Sequence, residues 1–182
     1  MNKFKLSLCA FALSVASSSV LAAGTQGTVT FNGELIAETC AIVDGYENII
    51  VNLPTLSTKT LAAKDATGGT RAFEIKVEKC PKEVTTVAAH FESIGSTGFN
   101  TTTGNLTNQY SGSSSTDLAA TNVEIRLYDT NEQQLRLGNT GQAATVAADG
   151  TATMVYHGGY YATDATTAGK VYAQALYTLA YP

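Results

Sequence analysis

Phe73-Glu74-Ile75-Lys76-Val77-Glu78-Lys79-Cys80 alternates apolar and charged side chains and ends on a cysteine. A period of two belongs to an extended strand with one face toward a core, so Phe73, Ile75 and Val77 are expected inside and Glu74 and Lys76 outside. Val123-Glu124-Ile125-Arg126-Leu127 repeats the pattern, with Glu124 and Arg126 on the outer face. Outward from these two runs, strands are expected at 28–36, 49–53, 72–78, 86–91, 123–128, 152–161 and 169–181. Almost nothing sustains a helical period. One helical turn is expected at 61–66, broken by Gly68-Gly69. Many short alternating strands imply an all-β fold in which two sheets each hide one face.

Lys3 and Lys5 precede an apolar run over 6–15, and a polar stretch then ends Val20-Leu21-Ala22. This is the layout of an export signal, cleaved after Ala22 or Ala23. The run is too short to cross a bilayer, and no later stretch reaches the roughly 20 residues a membrane helix needs. Cys9 lies inside the run, and Leu6-Ser7-Leu8 is a poor lipobox, so a lipid anchor is not favoured. Cleavage leaves about 160 residues, one domain's worth. Without Lys3 and Lys5 there remain nine Lys and Arg against fifteen Asp and Glu, nine minus fifteen or −6. No basic patch of the kind nucleic acid requires is present.

Export also bears on the cysteines, because only Cys40 and Cys80 remain in an oxidising compartment. There is no Cys-x-x-Cys pair and neither cysteine has a histidine nearby in sequence, which favours a disulfide over metal ligation or a catalytic thiol. Closing a loop of about 40 residues should stabilise the fold by roughly 3 to 4 kcal/mol in the chain-entropy treatment. No enzyme signature competes. His90 and His157 are far apart in sequence, and neither a Gly-x-Ser-x-Gly elbow nor a His-Glu-x-x-His motif occurs. No metal or cofactor is implied.

The stretch 95–121 is dominated by Gly, Ser, Thr and Asn, broken by Phe99, Leu106 and Tyr110. It reads as solvent-facing loops carrying short strands, parts of which pack. Sequons at Asn100 and Asn105 fall in this Thr-rich stretch and read as chance. Before the first cysteine, Val29, Phe31, Gly33 and Leu35 alternate over a segment with one apolar face. It is either the first strand of the sandwich or a strand offered to another copy.

Three spacings bear on that choice. Gly33 stands seven residues before Cys40, Phe73-x-Ile75-x-Val77-x-x-Cys80 leads into the second cysteine, and Tyr181 is penultimate with Gly169 fourteenth from the end. Ala120-Thr121-Asn122-Val123 leading to Leu127-Tyr128-Asp129 adds a fourth feature. Together they resemble the pilins of the chaperone-usher class, most closely a type 1 major fimbrial subunit, over the whole mature chain. The resemblance implies an incomplete immunoglobulin-like β-sandwich that lacks its last strand and is completed by a donor strand from a neighbouring subunit. It implies a signal at 1–22, a donor-strand extension at 23–36 and a pilin domain at 37–182.

Val29, Phe31, Gly33 and Leu35 would then be the donor residues. Gly169, Val171, Tyr177, Leu179 and Tyr181 would serve chaperone and groove recognition, on a final strand where Val171, Ala173, Ala175, Tyr177, Leu179 and Tyr181 share one parity. The implied partners are identical subunits, a periplasmic chaperone, an outer-membrane usher, and tip adhesin or adaptor subunits. The implied destination is a cell-surface fimbria supporting adhesion, reached through the periplasm. A minor adaptor or a single-domain carbohydrate-binding adhesin is the alternative. The chain departs from the family pattern at Tyr156-His157-Gly158-Gly159-Tyr160, where type 1 subunits usually carry Ala-Arg before the tyrosine, and no role for that arginine is carried over. The lead before Gly27 is also short.

Overall fold

A computed structural model describes residues 28–33, 35, 39–95 and 98–182. The expected signal, residues 23–27 of the extension, and Glu34 and Ile36 lie outside the described residues. Two units are distinguished, Met1–Leu35 and Ile36–Pro182. In the first, the described residues carry no strand, contrary to the strand expected at 28–36, and Val29, Phe31 and Leu35 are exposed. A strand exists only by pairing, and these residues pair with no described strand.

The second unit contains β1 (Ala41–Ile42), β2 (Thr67–Glu78), β3 (Thr86–Ser93), β4 (Leu106–Thr107), β5 (Val123–Tyr128), β6 (Gln134–Leu135), β7 (Ala144–Thr145), β8 (Ala152–Ala162) and β9 (Ala175–Ala180). One antiparallel sheet runs β1-β2-β8-β5-β4, with β6 also on β5, and the other runs β7-β3-β9. The core lies between them. Ile75 and Val77 of β2, Val87 and Phe91 of β3, and Met154 and Tyr156 of β8 are at most 3% exposed. The Phe91 ring stands edge-on to Tyr156 at 5.0 Å, an arrangement worth roughly 0.5 to 1.5 kcal/mol beyond area burial. Buried phenols need partners. The Tyr156 hydroxyl donates to the Gln142 carbonyl at 3.1 Å and accepts from the Ala89 amide at 3.0 Å, which ties β8 to β3 across the core. Cys40 and Cys80 are bonded to each other.

Several boundaries differ from the sequence reading. The single helical turn is a 3₁₀ turn at Thr58–Leu61, earlier than 61–66, because Ser57 caps it by accepting from the Lys59 amide. Gly68-Gly69 is no break: it lies inside β2 as a bulge, with Gly69 at φ +67, so β2 starts at Thr67 and not at residue 72. The segment 49–53 is not a strand, and among the described residues it has no ladder partner. β9 starts at Ala175 and not at residue 169, because the residues before it bond instead to the 108–120 loop. β4 is one of the short strands expected within 95–121, whereas β1, β6 and β7 were not expected. At two residues each they are too short to show a period.

Glu124 is the largest departure, for it is 5% exposed rather than facing solvent. The loop after β3 folds over this face of β5. Glu124 Oε1 accepts from Asn100 Nδ2 at 2.6 Å, and Oε2 accepts from Thr103 Oγ1 at 2.7 Å and Asn105 Nδ2 at 2.9 Å. Arg126 Nε donates to Asn105 Oδ1 at 3.2 Å, while its guanidinium lies 3.8 Å from the centre of the Tyr161 ring. Asn105 is 1% exposed, with its amide on Glu124, which leaves no room for a glycan there. A buried carboxylate with three donors should be sensitive to neutral replacement. Glu124→Gln would set an amide NH2 against a donor, and we expect a loss of about 1 to 3 kcal/mol. Overlapping urea curves for variant and parent would contradict this role.

Candidate functional site

β9 is an edge strand. One side pairs with β3 from Ala175 opposite Ser93 to Ala180 opposite Ala88, and the other side pairs with no described strand. An edge of this kind presents a row of unpaired N–H and C=O groups. Beneath it runs an open groove of about 640 Å³ between the 47–53 segment and residues 171–177. Phe73, Phe91, Leu106, Ile125, Leu127 and Gly158 form its floor. Gly158 contributes width, since a side chain there would turn toward Leu127 and Ile125. From Asn48 to Leu56 no backbone hydrogen bond to another described residue is formed. Among the described residues both walls thus keep backbone groups without a backbone partner, and the space between them has an apolar floor, with Glu47, Asn48, Asn52 and Gln174 also along its walls.

The parity read from the sequence is present. Val171, Ala173, Ala175, Tyr177, Leu179 and Tyr181 are half-buried and pack on the core, while Tyr172 and Leu176 are 47% and 50% exposed. Tyr177 and Tyr181 also make polar ties. The Tyr177 hydroxyl donates to the Tyr46 carbonyl at 2.7 Å, bracing the β9 wall against the opposite one, and burial raises its pKa. The Tyr181 hydroxyl accepts from the Cys40 amide at 3.0 Å, and the Pro182 carbonyl accepts from Thr86 Oγ1 at 2.8 Å. The chain end is thereby held against the disulfide and the start of β3.

Gly169 lies apart from these residues, beyond the start of β9. A side chain there would meet the Ala120 amide at 2.4 Å, and only glycine permits so close an approach. Next to it, the Lys170 amide donates to the Leu118 carbonyl, and Asn108 Oδ1 accepts from the Tyr172 amide at 2.9 Å. Lys170 Nζ sits 2.9 Å from Asp117 Oδ1, and the Tyr110 hydroxyl donates to the same carboxylate.

These contacts latch the lead into β9 to the 108–120 loop. The Lys170 ammonium, then the Tyr110 hydroxyl and the Ser113 amide, hold the Asp117 carboxyl down to about 2. A carboxyl with a lowered folded-state pKa stabilises above its ordinary value, near 3.8, and loses that contribution as pH falls toward 2. We expect the amide signals of Gln109 and Lys170 to shift together with that midpoint in an NMR pH titration. Signals that stay constant from pH 4 to 2 would remove the latch.

In the first unit Val29, Phe31 and Leu35 are 78%, 89% and 99% exposed. A side chain added at Gly33 would meet nothing within 4 Å. Sequence reading missed the wall opposite β9, with Tyr46, Ile49, Ile50 and Val51. The run Ile49-Ile50-Val51 was its signal, because three consecutive apolar residues do not fit a strand with one buried face.

A model of the family described as fimbrial protein matches residues 29–182. Among curated relatives, the chain is 38% identical to the major fimbrial subunit SMF-1 of Stenotrophomonas maltophilia, over 92% of this chain and 99% of the relative. It is 36% identical to the F17 fimbrial protein of Escherichia coli, over 93% of this chain and 94% of the relative, and 33% identical to the type-1 fimbrial protein A chain of Escherichia coli K12, over 93% of each. Among solved structures, a chain from a chaperone-usher pilus superposes with a TM-score of 0.60 at 20% identity, covering 86% of this chain and 96% of that one. The P pilus rod subunit PapA superposes with a TM-score of 0.55 at 17% identity, covering 80% and 100%.

Proposed function

The chain belongs to the fimbrial protein family, as a structural subunit of a cell-surface fimbria and not an enzyme, and on that premise we propose that it polymerises by donor-strand exchange. Its fold is the incomplete immunoglobulin-like sandwich of the chaperone-usher pilins. The observation that carries the proposal is the outer edge of β9, unpaired among the described strands, above an open groove with an apolar floor. An exposed edge over an apolar cleft is an aggregation hazard unless a strand fills it. Residues 23–36 of a neighbouring copy are the filler.

Val29, Phe31 and Leu35 enter pockets, Thr28, Thr30, Asn32 and Glu34 face outward, and Gly33 lies where a side chain has no room. This is β-strand addition, with ladder bonds for strength and alternate side chains for specificity. Burying three large apolar groups at about 1.5 to 3 kcal/mol each gives roughly 5 to 9 kcal/mol. Each ladder bond adds about 0.5 to 1.5 kcal/mol net.

Before polymerisation the same edge would be covered by a strand lent by a periplasmic chaperone, which reads Gly169, Val171, Tyr177, Leu179 and Tyr181. An outer-membrane usher would then exchange that strand for the next subunit's extension. In this reading residues 1–22 are removed at export, 23–36 form the extension, and 37–182 form the domain. Tip adhesin or adaptor subunits complete the filament, which supports adhesion.

The test compares boiled and unboiled surface-sheared protein on an SDS gel, beside a variant lacking residues 24–35. We expect a heat-sensitive ladder of multimers, absent in the deletion. Monomer alone in every unboiled lane would refute the mechanism.

A further inference from the structure

Within the exposed residues 28–33 stands Asn32-Gly33, and donor-strand packing asks for the glycine but not for the asparagine before it. We propose that Asn32-Gly33 is a self-modification site that retires unpolymerised subunits: the Asn32 amide converts to aspartate and isoaspartate while the extension is free, and is protected once a neighbour's groove holds it. The inference rests on the donor-strand reading of 23–36.

The chemistry needs only water. The Gly33 backbone nitrogen attacks Asn32 Cγ, forming a new C–N bond and a five-membered succinimide. The Cγ–Nδ2 bond breaks, and Nδ2 leaves as ammonia with the proton given up by the Gly33 nitrogen. Water then opens the imide at either carbonyl. One opening gives aspartate, and the other gives isoaspartate, in which the main chain continues through the β-carbon.

Ring closure requires an unhindered following nitrogen, free of a hydrogen bond and able to rotate, and glycine provides the greatest backbone freedom. Around Gly33 there is open space, its amide bonds to no described residue, and Asn32 is exposed. Every other asparagine in the chain is followed by a residue with a side chain. The two Asp-Gly pairs that could close the same ring are restrained. Gly45 N donates to Glu47 Oε2 at 2.8 Å, and Gly150 N donates to the Ala147 carbonyl at 2.9 Å. Among the described residues one reactive pair is thus left open, and in the donor-strand reading it lies in the segment that stays free until a neighbour's groove takes it.

Isoaspartate would place one extra backbone atom between Phe31 and Leu35. Because strand side chains alternate with a period of two, Phe31 and Leu35 could then no longer occupy their pockets in one register. In a filled groove the opposite holds. The Gly33 amide is engaged in an extended ladder, and attack on Cγ must await local opening.

The test uses mature subunit released from filaments in guanidinium and refolded, incubated at pH 8 beside intact filaments, with the peptide containing Asn32 followed by mass spectrometry and isoaspartyl detection. We expect conversion at Asn32 to be on the order of tenfold or more slower in filaments, since it then depends on local opening. Aged wild-type subunit should lose its capacity to enter the SDS-resistant ladder. Aged Asn32→Gln, whose amide would have to close a six-membered ring, should keep whatever capacity it has when fresh. Asn32 unchanged in aged monomer overturns the proposal, while the ladder formed by fresh subunit still decides the donor-strand reading independently. Equal conversion in monomer and filament also overturns it. Together with a missing ladder from fresh subunit, equal conversion places the fault in the donor-strand reading.

Discussion

Gly33→Leu is expected to abolish the SDS-resistant ladder while leaving the domain's unfolding temperature within about 2 °C of the parent. The two halves of this result have separate causes. Within its own subunit Gly33 is exposed, a side chain there meets nothing within 4 Å, and its φ lies outside the left-handed region. Surface substitutions of this kind usually fall within about 0.5 kcal/mol. Inside a neighbour's groove, a leucine at the narrow point would keep Phe31 and Leu35 from seating together. Of the roughly 5 to 9 kcal/mol of apolar burial, little would remain. A loss of even about 4 kcal/mol weakens the joint by roughly a thousandfold. Gly33→Ala should give an intermediate ladder, because one methyl can be accommodated by small shifts. Normal filaments from Gly33→Leu would show that the extension is not the donor.

The long strands were legible because their period is strong. β5 appears at 123–128 as expected, and β3 and β8 differ only at their ends. The illegible parts are those whose conformation is set from a distance. β9 reads as one alternating run from residue 169, yet its first third is captured by Asn108 and by the 118–120 backbone, contacts that cross fifty or more residues of sequence. Glu124 alternates like an outward residue and is outward with respect to its own sheet. Its burial comes from a second layer, the loop over 100–105, which a period of two cannot register. The β9 wall of the groove was visible in the shared parity from Val171 to Tyr181. The other wall was read as a strand, because apolar content alone does not say whether a partner exists to pair with it.

That second wall makes the disulfide a matter of assembly as well as stability. Between Cys40 and the 3₁₀ turn at Thr58–Leu61, the chain is held to the domain backbone by few bonds: the two-residue strand β1, the Val43 amide on the Lys76 carbonyl, and the Tyr177 hydroxyl on the Tyr46 carbonyl. Cys40–Cys80 anchors this segment at its start, beside the tie from the Cys40 amide to the Tyr181 hydroxyl. Replacing both cysteines by serine should cost about 4 kcal/mol for a loop of this length. For a domain near 150 residues that lowers the unfolding temperature by roughly 8 to 16 °C. It should also thin the ladder below the temperature at which the variant domain unfolds, because the wall from Tyr46 to Val51 would be free to move away from β9. A double-serine variant as stable as the parent would refute the first effect. A destabilised variant whose ladder is undiminished well below its unfolding temperature would refute the second, and would mean that an incoming strand can order that wall without the covalent anchor.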